Sequence, residues 1–78
     1  MSDGSRKFTN KQIEELTFGI ESLDQAQRQR VRDHLHRLLA KTGGTLYRQS
    51  THLELMKMRH ENVISEIDLH NIDEALFG

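Results

Sequence analysis

Five histidines are the residues in this chain best able to do chemistry. Two ligands for one ion on a helix need spacings of i, i+3 or i, i+4. His34 and His36 are two apart, so on a helix they point about 200° away from each other. His52 and His60 are eight apart, roughly 12 Å along a helix axis. Glu66 and His70 have the right spacing, but a helix end is expected between them. There is no HExxH and no other zinc spacing, and no cysteine, which excludes disulfides and thiolate sites. A metal would need ligands from two chains. The serines and acids show no spacing that demands an acid–base pair. Gly43-Gly44 follows an expected helix, so it reads as a stop signal and not as a phosphate loop. No catalytic residue, metal or cofactor is expected, and the chain is not expected to be an enzyme.

Charge carries more information. Arg28, Arg30, Arg32, Arg37, Lys41 and Arg48 face the single acid Asp33 within residues 25–50. Residues 61–78 hold Glu61, Glu66, Asp68, Asp73 and Glu74 without a lysine or arginine. Two solvated faces that attract one another, within the fold or across a dimer, explain this split. A helix-turn-helix-like nucleic-acid binder using Arg28, Arg30, Arg32 and Arg37 is the alternative. A pI near 6.5 and the spread of these arginines around the helix argue against it.

The expected fold is all-α: a helical hairpin, a longer third helix and a short C-terminal helix, forming a three-helix bundle. Residues 1–8 are polar and expected to be a flexible segment, with 9–78 a single helical domain. Thr9 or Asn10 caps a first helix whose Ile13, Leu16 and Ile20 share one face. Ser22 with Gln25 reads as a capping box for a second helix over about 23–41. Val31, Leu35, Leu38 and Leu39 form its apolar face. Thr45 caps a third helix to about residue 66, with Leu46, Leu53, Met56, His60, Val63 and Ile67 as a heptad-like inward seam. His60 then sits in the core, and His34 lies beside the apolar face of the second helix. Asn71 opens one or two final turns.

Phe18, Tyr47, Leu55 and Met58 fall away from these inward faces, and a three-helix monomer has no obvious way to bury them. They are expected to form a partner or dimer interface, most simply a symmetric homodimer. Ile72, Leu76 and Phe77 form an acidic, apolar C-terminal stretch suited to docking on a larger protein, or to folding back on the chain's own core. The expected function is regulation or adaptor binding through helical surfaces, with the chain itself and a second, unidentified protein as partners. Nothing resembles a signal peptide or a membrane span, so a cytoplasmic protein with no membrane partner is expected.

Overall fold

A computed structural model describes residues 4–78. Four helices and one small two-stranded sheet follow in the order β1 (Ser5–Lys7), α1 (Asn10–Phe18), α2 (Gln25–Thr42), β2 (Thr45–Tyr47), α3 (Arg48–His60) and α4 (Glu66–Phe77). The chain is thus mostly helical.

Three helices start with a reciprocal capping box, in which the cap side chain and the residue three positions on satisfy each other's backbone N–H. Thr9 and Gln12 do this for α1, Asp24 and Gln27 for α2, and Ser65 and Asp68 for α4. Helix α2 therefore begins two residues later than the Ser22 signal implies, because an aspartate at 24 with a glutamine at 27 makes the completed box. It ends as expected: Gly43 adopts a left-handed conformation, and Gly43 and Gly44 both donate to the Leu39 carbonyl.

Helix α3 has no side-chain cap. It grows directly out of β2, and its first N–H, from Arg48, donates to the Gly4 carbonyl at 2.6 Å. Strand β1 pairs antiparallel with β2, with Arg6 opposite Leu46, and the Phe8 N–H extends the pairing to the Gly44 carbonyl at 2.9 Å. Part of the segment expected to be flexible is therefore a strand from Ser5 onward, and Phe8 is buried. Residues 1–3 of that segment lie outside the described residues.

The largest departure is the break after His60. The single helix expected to reach residue 66 stops there, and Asn62 takes a left-handed conformation with φ 63°. The Val63 N–H then closes onto the Met58 carbonyl at 2.9 Å. Helix α4 starts at the Ser65 cap, not at Asn71, and runs for 12 residues. Asparagine tolerates the left-handed region and serine followed by aspartate nucleates a new helix, so the local chemistry overrides the apparent heptad. The turn brings Ile64, Ile72 and Leu76 into one core with Ile13, Val31, Leu35, Leu39, Leu46, Leu55 and Met58. Helices α1 and α3 each pack against both α2 and α4. None of these helices is long and apolar enough to cross a membrane, among the described residues.

Candidate functional site

Helix α3 carries two apolar stripes, and the core takes one. Thr51, Leu55 and Met58 are fully buried, whereas Leu53 is 60% and Met56 36% exposed. Leu55 and Met58 are thus core residues and cannot serve as a folded-state interface, contrary to the expectation. The expected inward seam needed Val63 and Ile67 on the same helix as Leu53 and Met56. Once the helix ends at His60 they are not, and the two stripes of α3 carry two large apolar residues each. The reversal also moves His60 to the exposed end of α3 instead of the core. Along the outward face, Gln49, Leu53, Met56 and His60 succeed one another at spacings of 4, 3 and 4, the pattern of a helix-packing seam.

The other expected interface residues are exposed but differently employed. Phe18 is 76% exposed, yet the Arg28 guanidinium lies 5.6 Å from its ring centroid. Tyr47 is 46% exposed at the end of β2. Ile67, on α4, is 69% exposed and was expected to be inside. Ile72 and Leu76 are buried in the core, and half-buried Phe77 lies under Arg48 at 5.4 Å, so the C-terminal stretch folds back and is not free to dock.

The expected basic patch is divided by the fold. Arg28 donates three hydrogen bonds to backbone carbonyls, of Thr17 at 3.0 Å, Ile20 at 3.1 Å and Leu23 at 3.0 Å. It thereby binds the C-terminal end of α1 and the turn that follows, adding a charged donor to the Thr17 and Ile20 carbonyls, which also accept the Ile20 and Leu23 N–H groups. Arg32 is half-buried, and Arg30 and Arg37 are exposed on α2. Two further arginines repeat the arrangement on α4: Arg6 donates to the Leu76 carbonyl at 2.9 Å and Arg48 to that of Phe77 at 3.2 Å. Arg6 also lies over the Phe8 ring at 5.6 Å, so all three phenylalanines of the chain sit beneath arginines.

Two polar links fix the helices that carry the exposed face. His34 Nδ1 on α2 lies 2.6 Å from Glu54 Oε2 on α3, which ties up the only acid of α3. At the other end, the Gln27 amide donates to the Val63 carbonyl at 3.0 Å and approaches Asp68 at 3.5 Å. Burial alone would raise the Asp68 pKa. The Ser65 backbone N–H and the Ser22 and Ser65 hydroxyls outweigh it and hold the carboxyl below its ordinary value. His52 lines an open depression with Arg48, Gln49 and Asp73. Among the described residues, no group of three or more His, Asp or Glu is placed to hold a metal ion.

Comparison with protein-family models, curated proteins and solved structures returns no match. The outward face of α3 therefore has to be interpreted from its own residues. Leu53 and Met56 belong to the seam expected to face inward, and they face outward instead. The signal that could have corrected this was Asn62 followed by Ser65-x-x-Asp68, which marks a helix stop and restart.

Proposed function

We propose that this chain is a small regulatory or adaptor protein that acts by holding a helix of a protein partner against the outward face of α3. The observation that carries this reading is the exposure of Leu53 and Met56 on a helix whose opposite stripe is already fully buried. A helix apolar on two sides normally packs on two sides. Methionine suits such a face because its flexible side chain adapts to the shape of what it meets, and an amphipathic helix is the natural complement of a helical stripe. Self-association, expected through Phe18, Tyr47, Leu55 and Met58, loses the last two of those residues to the core. The nucleic-acid reading is weakened in the same way, since Arg28 is committed to backbone carbonyls and only Arg30 and Arg37 of its four arginines are well exposed.

Photo-crosslinking in the cells that make the protein tests this. A photoreactive residue at position 53 or 56 should give a discrete protein adduct, and the same residue at exposed position 30 should not. Adducts that are absent at all three positions, or equally abundant at all three, would remove the basis for the proposal.

A further inference from the structure

Resting on the reading of the α3 face just given, we infer that its occupant is an acidic amphipathic helix from a different protein and not a second copy of this chain. The charges that border the face decide this. Lys57 lies along one edge of the Leu53–Met56 stripe, about 70° around the helix from its centre. Arg59 lies along the other edge, about 90° from the centre. Lys57 is exposed, and the Arg59 side chain is 38% exposed. Glu54, the one acid of the helix, is held by His34 on the far side from this stripe. Glu66 reaches Arg59 only loosely, at 4.0 Å, with its own side chain 86% exposed, and such a pair contributes little. Glu61 is exposed one residue past the helix.

A two-fold pairing of α3 with itself brings like edges together if the helices run antiparallel and opposite edges together if they run parallel. Both edges are cationic, so either orientation sets cation against cation, and that juxtaposition disfavours the complex. An incoming helix with leucine or isoleucine on its facing stripe and glutamate on its flanks meets the same face with opposite charges.

Two synthetic helical peptides with the same leucine stripe test the inference on the full chain, one flanked by glutamates and one by lysines. The glutamate peptide should bind, more weakly as salt rises, and the lysine peptide should not. Lys57→Glu should weaken the glutamate peptide by roughly tenfold or more, and Leu53→Asp should abolish its binding with the helical circular dichroism unchanged. Equal binding of both peptides, or of neither, overturns the inference. Sedimentation settles the rival occupant. A dimer that Leu53→Asp converts to monomer would overturn the inference while leaving the α3 face as the binding surface. Peptide binding indifferent to Leu53→Asp would take both down.

Discussion

Arg28 and Arg30 are two residues apart on one helix, yet they answer to different parts of the molecule. The first reaches three carbonyls at the end of α1 and covers Phe18, while the second points to solvent. Hydrogen bonds from a charged donor are the stronger kind, and removing this one takes a partner from three carbonyls, two of which (Thr17 and Ile20) also accept a backbone N–H. Arg28→Ala should lower the unfolding free energy by about 1–3 kcal/mol. Arg30→Ala should stay within about 0.5 kcal/mol. Urea unfolding of the two variants reads the difference, and equal effects would contradict the assigned role. Asp68 gives the second test at this scale. Its carboxyl is held below its ordinary value in the folded state, so its contribution is fully present above about pH 4–5 and is lost as pH falls through that range toward the folded-state pKa. Asp68→Asn should remove this acid-sensitive share. The midpoint of wild-type unfolding should fall between pH 5 and about pH 3 more steeply than that of the variant.

At the scale of the helices, the question is which stripe of α3 faces the core. Leu55→Ala should cost about 2–5 kcal/mol, the range for truncating a buried leucine. Leu53→Ala should change stability by about 0.5 kcal/mol or less. The reverse order in thermal or urea unfolding would restore the inward seam that the heptad spacing suggests. Helices α1 and α2 are legible because their signals are local and agree: a cap at Thr9 or Asn10, the apolar positions 13, 31, 35 and 39, and Gly43 as a stop. Helices α3 and α4 were not, because the periodicity of 53, 56, 60, 63 and 67 continues across a break that only Asn62 and Ser65 announce. Part of the candidate site was hidden for the same reason, since the direction a stripe faces depends on where its helix ends. Strand β1 was out of reach for another reason. Its partner is some forty residues away, and three polar residues carry no pattern of their own. The use of Arg28 was equally hidden, because the carbonyls it meets are positioned by the fold and not by neighbouring residues.

Across the whole molecule the charges are segregated. Helices α2 and α3, which pack together, carry eight lysines and arginines against two acids, while α4 has four acids and neither lysine nor arginine and packs beside α1, where two glutamates face one lysine. A net charge of −1 therefore conceals a dipole across a body 32 Å long. At about 10 mM salt the screening length is about 30 Å, comparable to that body, and near 150 mM it shrinks to about 8 Å. Light scattering should show attraction between molecules at the lower salt that disappears at the higher; a second virial coefficient indifferent to salt would argue against the segregation. The β1 strand has a different consequence at this scale. Through Gly4, Arg6 and Phe8 it holds the start of α3, the end of α4 and the hinge after α2 at one spot. The link from Arg6 to Leu76 spans 70 positions, so during folding it costs the most chain entropy to close and comes late. Unfolding is expected to begin at the same corner: the strand peels away, the Leu76 carbonyl loses Arg6, and the α1–α2 hairpin, made of neighbours in sequence, opens later, an order that amide hydrogen exchange reads.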